Sequence, residues 1–402
     1  MKRAVVTGMG VVAPNGLTVE EYWSAVLEGR SGIREVDFEG TNYSARFGGR
    51  IADFDDARHI PSRLLPQTDR MTRFALYAAE SALRDADVDT IKGYDGGVTL
   101  SNAAGGFALS HRELRKLWSE GPKSVSAYLS FAWFYACNSG QLSIRHGLRG
   151  PGAALVAEQA GGLDAVGYSR RTVRRGTRMV LAGGVESALD PWGWLSHISS
   201  GRVTRATSAE RAYLPFSEDS DGYVPGEGGA ILVVEDRDAA DERGAPKRYG
   251  EIAGYASTFD PGPGTGRPPG LRRASELALA DAGLTPDAID VVFADGAGSN
   301  DLDRVEADSI RGLFGPRAVP VSVPKALVGR LYSGGAPLDI ATALLAIRDG
   351  VIPQATDTIH LPDDYGIDLV VGAPRHAPIN NALVLARGRG GFNSAVVVTR
   401  AG

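Results

Sequence analysis

The sequence predicts an α/β protein in which parallel or mixed sheets are covered by helices. Apolar runs rich in β-branched residues alternate along the chain with stretches of helical periodicity. Glycine makes up 52 of the 402 residues and stands mainly at the ends of the apolar runs. Because glycine adopts positive φ without strain, this placement suits the tight connections between strands and helices that such a fold requires.

The individual elements follow from these signals in chain order. Thr18 and Glu21 form a capping box that opens a first helix. Residues 73–86 have a helical apolar period, and a third helix runs from a turn at Gln159 through Arg175. The predicted strands are short apolar runs bounded by turn residues and cover residues 4–8, 97–101, 155–158, 179–182 and 230–235.

Two stretches of the chain are similar to each other, which favours duplicated halves. Alanine-rich helix ends at residues 82–88 and 278–284 each lead into an apolar run typical of a buried strand. A chance likeness between two alanine-rich helices is the alternative. We place an N-terminal half at residues 1–250 and a C-terminal half at residues 251–402.

Composition and charge exclude several classes of protein. The chain has 43 Lys and Arg against 48 Asp and Glu, a net charge of −5. Phosphate binding needs a basic surface, so we expect no nucleic-acid partner. No apolar run approaches the ~18 residues that span a bilayer, so we expect no membrane association. The chain opens on a strand-like run rather than a signal peptide, and Cys137 is its only cysteine, which together favour a cytoplasmic protein.

Neither a cofactor nor a metal is expected. Residues 8–13 (Gly-Met-Gly-Val-Val-Ala) look like a dinucleotide-binding fingerprint, but Pro14 and Asn15 follow them. The glycines therefore lead into a turn and not into a helix whose N-terminus could hold a pyrophosphate. The six histidines show no spacing typical of metal ligands.

Residues 124–140 form an unusually aromatic segment that includes Phe131, Trp133 and Phe134. A helix that is apolar on every side is buried in a large core or at a subunit interface. Both interpretations stay open, and we favour the interface, where large aromatic side chains dominate the association energy. Cys137 lies in the same run and is predicted to be a buried apolar residue rather than a nucleophile.

The turn at Gln159 is the most informative part of the chain. A predicted strand turns sharply into a helix there, which presents residue 159 at the helix N-terminus. A cysteine at such a place would have its thiolate stabilised by the helix dipole. An amide is not a nucleophile, so residue chemistry alone indicates an ordinary strand-to-helix turn.

A further candidate is an apolar stripe formed by Phe107, Ser110, Leu114 and Leu117, which recur at helical spacing. On spacing alone, the stripe indicates a helix face that packs on the protein core.

Several motifs carry a resemblance to a known family. These are residues 3–16, 215–235 (with Asp-Gly-Tyr-Val-Pro-Gly-Glu-Gly at 221–228), 325–329 and 388–392. With them, the chain resembles the β-ketoacyl synthases of the thiolase fold over essentially its whole length. It is most similar to the chain length factors of type II aromatic polyketide synthases, those of the actinorhodin type in particular, through residues 117–123, 156–164 and 190–194. The resemblance implies two pseudo-symmetric halves in a layered α-β-α-β-α arrangement.

The resemblance also implies a degenerate active site. Active family members use a cysteine and two histidines, whose places are taken here by Gln159, Asp295 and Arg330. Arg389 replaces a gating phenylalanine, and Lys325 alone is retained. Without a nucleophile no acyl-enzyme can form. We expect Asp295 and Arg330 to form a buried ion pair that closes the former pocket.

The implied function is that of a catalytically silent subunit. Its partners would be the ketosynthase alpha subunit, an acyl carrier protein and the growing poly-β-ketone chain, which would extend through a tunnel at the subunit interface. Phe107, Ser110 and Leu114 match the positions that gate this tunnel in the family. The modest side chains at positions 110 and 114 predict an octaketide or a longer product.

Two alternative functions stay open. The first is a malonyl-carrier-protein decarboxylase that supplies an acetyl primer through Gln159, although family members interpreted in that way keep both histidines. The second is a small-molecule binding protein on a thiolase scaffold.

Overall fold

The computed structural model describes residues 2–38, 43–89, 93–262, 264–356 and 359–402. Strands in those ranges are β1 (Ala4–Val12), β2 (Ile33–Glu35), β3 (Phe47–Gly49), β4 (Gly96–Ser101), β5 (Gly152–Leu155), β6 (Met179–Glu186), β7 (Gly228–Asp236), β8 (Gly250–Phe259), β9 (Val291–Phe293), β10 (Pro320–Ser322), β11 (Val351–Ile352), β12 (Asp368–Leu369), β13 (Arg375–His376), β14 (Asn381–Gly388) and β15 (Phe392–Thr399). The helices are α1 (Val19–Leu27), α2 (Asp56–His59), α3 (Arg70–Asp85), α4 (Phe107–Glu120), α5 (Leu129–Ala132), α6 (Cys137–His146), α7 (Glu158–Arg174), α8 (Pro191–Ser199), α9 (Arg237–Glu242), α10 (Leu271–Ala282), α11 (Asn300–Phe314) and α12 (Gly335–Asp349).

The main sheet consists of two half-sheets with the same internal order. The first half runs β1-β7-β6-β4-β5 and the second runs β8-β15-β14-β9-β10, with β12 added at its edge. In each half the first two pairings are antiparallel and the next two are parallel. The halves join where β1 pairs with β8, at Val5 with Glu251 and Val6 with Gly250. The predicted α/β class and the pseudo-symmetric halves are confirmed, whereas the domain boundary at residue 250 stays a prediction.

The internal likeness in the sequence corresponds to equivalent elements. Helix α3 ends at Asp85 before β4, and helix α10 ends at Ala282 before β9. Helix α3 packs on β1 and β7, as α10 packs on β8 and β15. The two alanine-rich helices therefore cover the outer faces of the two half-sheets.

Two buried helices form the middle layer between the half-sheets. Helix α7 packs on β6 and β4 of the first half and on β14 and β15 of the second, and α12 contacts β7, β14 and α7. Every residue of α12 from Gly335 to Ile347 is buried, as expected of a mainly apolar helix in the interior of a large protein. The five layers are thus α3, the first half-sheet, α7 with α12, the second half-sheet, and α10 with α11.

The glycines of the apparent dinucleotide fingerprint have a packing role. They lie in β1, directly beneath α3. A Cβ atom on Gly10 would lie 1.8 Å from the carbonyl oxygen of Ala78, and one on Gly8 would lie 2.3 Å from that of Ala82. The two glycines let the helix backbone approach the strand, which explains why the motif is present without a following phosphate-binding helix.

One predicted strand is displaced from its observed position. The strand expected at residues 155–158 is β5, which ends at Leu155. Val156 is 48% exposed, and Glu158 already begins α7. Apolar residues continue through the connection, so composition did not mark the end of the strand.

The aromatic segment at residues 124–140 is not the continuous buried helix that its composition predicts. It contains the short helix α5 and the start of α6, with an irregular turn between them. Trp133 is 51% exposed and Phe131 is 37% exposed. The protein's own core does not cover these aromatic rings, which favours the interface interpretation over the core interpretation.

The close approach of α3 to β1 gives a test of the packing. We expect Gly10→Ala to destabilise the purified chain by about 1–3 kcal/mol, because the new methyl group meets a backbone carbonyl and not a movable side chain. Gly140→Ala is the control. It lies within α6, and apart from its chain neighbours and the backbone of its own helix no described atom lies within 4 Å of its added Cβ, so it should be neutral or slightly stabilising. Thermal melting measures both, and a neutral Gly10→Ala would contradict the packing described.

Candidate functional site

A sharp turn between β5 and α7 places Gln159 at the start of the middle layer. Glu158, the first residue of α7, has φ of 52°, in the left-handed region that side chains rarely adopt. Gln159 follows it and is fully buried, and among the residues that the structure describes neither its amide oxygen nor its nitrogen has a hydrogen-bond partner. Gly335 faces it, since a Cβ there would lie 3.2 Å from Oε1 of Gln159. The side chain is therefore enclosed between α7 and α12.

Asp295 and Arg330 form the buried ion pair that the sequence predicts. Nη2 of Arg330 lies 2.9 Å from Oδ2 of Asp295 and donates to Oδ1 at 3.3 Å. It also donates to the carbonyl oxygen of Arg387 at 2.8 Å, and the Arg387 N–H donates to Oδ1 of Asp295 at 3.1 Å. Asp295 is fully buried and Arg330 is 7% exposed. The pair links the chain after β9 to the end of β14.

The charge of this pair affects its neighbours. Burial is the largest single effect and would lower the pKa of Arg330, but the charge of Asp295 and the smaller effects of its other neighbours together outweigh burial and raise that pKa well above its usual value. Arg330 is therefore a fixed cation. Burial, and next the charge of Asp295, raises the pKa of the neighbouring Glu306 above its usual range.

Two buried carboxyl groups behind the pair were not identified from the sequence. Glu306 accepts hydrogen bonds from the backbone N–H groups of Asp295 and Gly296, at 2.7 and 2.9 Å. Asp303 accepts from the Phe216 N–H at 2.9 Å. Both carboxyl groups lie in α11, where acidic residues normally indicate a solvent-exposed face, so no sequence signal separated them from surface residues.

Lys325, the lysine of the predicted site, is held in an ion pair of its own. Its Nζ lies 2.6 Å from Oδ2 of Asp339 and donates to the carbonyl oxygen of Ala294 at 2.7 Å. Burial raises the pKa of Asp339 to about 6, against the opposing effect of the Lys325 charge. Both side chains are 2% exposed. The lysine therefore joins α12 to the end of β9.

A cavity of about 430 Å³ remains beside the ion pair, and the expectation that the pair closes the former pocket stays a prediction. Glu158, Asp295 and Arg330 lie in its wall, whereas Gln159 does not. Arg389 is an exposed residue of the wall, and its backbone N–H donates to the carboxylate of Glu158. The remaining wall is mixed, with the polar and aromatic side chains of Glu186, Ser196, His197, Tyr223 and Tyr332.

Phe107, Ser110 and Leu114, the candidate gate residues, all lie on α4 but differ in environment. Phe107 is half-buried, borders the cavity and stacks on Trp192 with ring centroids 5.1 Å apart. Leu114 is half-buried. Ser110 is buried, and its hydroxyl donates to the carbonyl oxygen of Gly106 at 2.7 Å. The structure places all three on one helix, and their role as a gate stays a prediction.

Exposed aromatic rings form a continuous stretch of chain beside α4, which we call the aromatic surface. Trp133 and Phe134 contact each other with ring centroids 5.6 Å apart, and Tyr128 contacts Phe131. A groove of about 710 Å³ runs along it, bordered by Phe131, Phe134 and Ile144, the last of which is 80% exposed. The aromatic surface consists of Tyr128, Phe131, Trp133, Phe134 and Tyr135, which are between 37 and 51% exposed.

Cys137 is buried, as predicted, and burial raises the pKa of its thiol. Among the residues that the structure describes, no cluster of three or more His, Cys, Asp and Glu side chains could hold a metal ion. In the same ranges, no helix is long and apolar enough to cross a membrane.

Comparisons with known proteins match both halves of the chain. Residues 1–240 match the model of the beta-ketoacyl synthase N-terminal domain, and residues 249–359 match that of the C-terminal domain. The actinorhodin polyketide beta-ketoacyl synthase 2 of Streptomyces coelicolor is 62% identical over 98% of each chain. The tetracenomycin polyketide synthase ketoacyl synthase beta subunit of Streptomyces glaucescens is 55% identical, over 99% of this chain and 98% of its own.

Solved structures agree with these relatives. The ishigamide ketosynthase/chain length factor superposes with a TM-score of 0.91, at 25% identity, over the whole of both chains. A type II polyketide synthase ketosynthase bound to the hexaketide, in complex with its acyl carrier protein, superposes with a TM-score of 0.90, also at 25% identity and over both whole chains.

The cavity wall contains a carboxyl group whose titration should be measurable. Burial raises the pKa of Glu186 from 4.5 to about 7, so its ionisation opposes folding as the pH rises through this interval. Glutamine keeps the oxygen that accepts from the Ala103 N–H but cannot ionise. We expect Glu186→Gln to be more stable than the parent chain by up to about 3 kcal/mol at pH 8, and equal to it below pH ~4.5.

Urea unfolding across this pH range measures the difference. The exposed Glu120 provides the control, because Glu120→Gln should change stability little at any pH. A constant difference between Glu186→Gln and the parent chain at all pH values would contradict the assigned burial of the charge.

Proposed function

Because this chain belongs to the beta-ketoacyl synthase family, we propose that it is a chain length factor of a type II polyketide synthase that makes aromatic polyketides. It forms a heterodimer with the active ketosynthase alpha subunit and carries out no condensation of its own. The observation that carries this proposal is the buried amide of Gln159, which stands where active family members have their nucleophilic cysteine.

The chemistry of the degenerate site supports a silent subunit. An amide cannot accept an acyl group, so no acyl-enzyme intermediate forms. Asp295 carries a negative charge where a developing enolate oxygen would need a hydrogen-bond donor. Arg330 is a fixed cation that is engaged with Asp295 and with a backbone carbonyl, and it cannot act as a base.

The decarboxylase alternative receives no support from the geometry. Gln159 is fully buried and lies outside the cavity wall, so a malonyl group in the cavity would meet Glu158 and Arg330 before it met the amide. The small-molecule alternative is supported only by the presence of the cavity. Neither alternative accounts for the exposed rings of the aromatic surface.

The partners follow from the family and from the surface. The growing poly-β-ketone extends through a tunnel at the subunit interface, and an acyl carrier protein delivers its units. Phe107, Ser110 and Leu114 gate this tunnel, and the modest side chains of Ser110 and Leu114 favour an octaketide or a longer product. The complex works in the cytoplasm, where a reducing environment suits a chain whose single cysteine is a buried free thiol.

The aromatic surface is the anchor of the heterodimer. Soluble chains rarely leave a contiguous group of large aromatic side chains uncovered, and such groups mark protein interfaces. It lies beside β5, at one edge of the main sheet, because α6 packs on β4 and β5. The ketosynthase partner therefore covers this edge and the adjoining helix α4.

The gate assignment predicts a change of product length. We expect Leu114→Trp to make shorter polyketides the main product, because the larger ring fills space that leucine leaves open. The products of the heterodimer, supplied with carrier protein and malonyl units, can be identified by mass spectrometry. Arg115→Trp is the matched control, since Arg115 is the exposed neighbouring residue of α4. Unchanged product length in Leu114→Trp would show that this residue does not gate the tunnel.

The anchor assignment predicts a loss of affinity. We expect Trp133→Ala to weaken binding to the ketosynthase subunit on the order of 30-fold, about 2 kcal/mol, which is typical of a central aromatic residue at an interface. Purification of the co-expressed pair through one tag shows whether the heterodimer forms, and titration of the separate subunits measures its dissociation constant. Val371→Ala is the control, because Val371 is 42% exposed and follows β12 at the opposite edge of the sheet. Equal affinities for the two variants would contradict the anchor.

A further inference from the structure

Helix α4 begins without a side-chain cap of its own. Its N-cap residue is Gly106, which has no side chain to accept a hydrogen bond from the first turn. The N–H group of Leu109 instead donates to Oδ2 of Asp69 at 2.8 Å. A residue that lies forty positions earlier in the chain therefore supplies the cap, and that residue is 2% exposed.

The same carboxylate also caps a second helix. Asp69 is the N-cap residue of α3, and its Oδ1 accepts from the Met71 N–H at 3.0 Å. Helix α3 is an outer-layer helix packed on β1 and β7, so its start is fixed by the main sheet. One side chain thus ties the first turn of α4 to a rigid part of the core.

The first turn of α4 is also packed closely on its other side. The Gly106 N–H donates to the carbonyl oxygen of Trp133 at 3.1 Å, and a Cβ on Gly106 would lie 2.2 Å from the carbonyl oxygen of Ala132. The helix further contacts α8, where His111 lies 3.6 Å from Asp190. The segment around Trp133 and helix α8 both carry exposed aromatic residues at the protein surface. Asp69, in contrast, connects α4 to the interior of the protein.

We propose that Asp69 is a positioning residue for product length. By capping α4 from α3, it fixes where the helix places Phe107 and Leu114 relative to the tunnel. This inference rests on the proposed function, because it concerns the setting of the same gate. Asp69 acts through α4 and not by contact with the polyketide.

The test separates the two caps of Asp69. Serine is a good N-cap residue, so Asp69→Ser keeps a local cap for α3, but its shorter side chain with a single oxygen cannot also serve α4. We expect the heterodimer that carries Asp69→Ser to make a broader range of products. The fraction of products whose length differs from the parental length should rise at least threefold. Asp69→Asn, which keeps the size but loses one acceptor oxygen, should shift the fraction in the same direction.

Asp303→Ser is the matched control. Asp303 is also fully buried and also accepts hydrogen bonds from backbone N–H groups, those of Phe216, Gly298 and Ser299, but it lies on α11. The Asp303→Ser substitution should lower the stability of the chain and the total product yield while leaving the ratio of product lengths unchanged. A merely structural role of Asp69 would have the same effect as this control.

The outcomes are decisive in combination with the direct gate variant. If Asp69→Ser folds, forms the heterodimer and gives the parental ratio of products, the positioning role is overturned. An equal shift in Asp303→Ser overturns it as well. If Leu114→Trp changes product length and the Asp69 variants do not, only this inference fails; if Leu114→Trp also has no effect, the gate assignment itself fails.

Discussion

The ion pair between Asp295 and Arg330 is the interaction on which the wall of the cavity depends. Each charge has lost its water, so each needs the other, and the backbone of Arg387 completes their hydrogen bonds. The pair joins the chain after β9, the segment before α12 and the end of β14. The pair is thus a structural connection, and changing either residue alone would leave a buried charge uncompensated.

The architecture was predictable because its signals are local. The predicted cap at Thr18 is present, since Thr18 accepts the Glu21 N–H, but the Glu21 carboxylate accepts the N–H of Leu17, one residue before the cap, and not that of Thr18 as in a regular capping box. Equivalent helix ends marked the two halves, and the turn at Gln159 stood out by its glycines. Each of these features depends on residues a few positions apart, which is the range over which a sequence pattern determines backbone geometry.

What the sequence could not predict depends on long-range burial. Residues 131–137 within the aromatic segment are aromatic on every side, a pattern that is the same whether the protein's own core or another chain covers the rings. Glu306 and Asp303 have the composition of a solvent-exposed helix face but lie fully buried behind Asp295. The cap that Asp69 gives to α4 joins residues forty positions apart, and neither residue's local sequence indicates it.

The aromatic surface has a consequence for how such a protein is produced. Uncovered rings beside an unpaired sheet edge favour contact with any other apolar surface, including that of a second copy. A chain made in excess of its ketosynthase partner would therefore tend to aggregate. Matched synthesis of the two subunits, with assembly soon after folding, is the condition under which this surface is protected throughout the life of the protein.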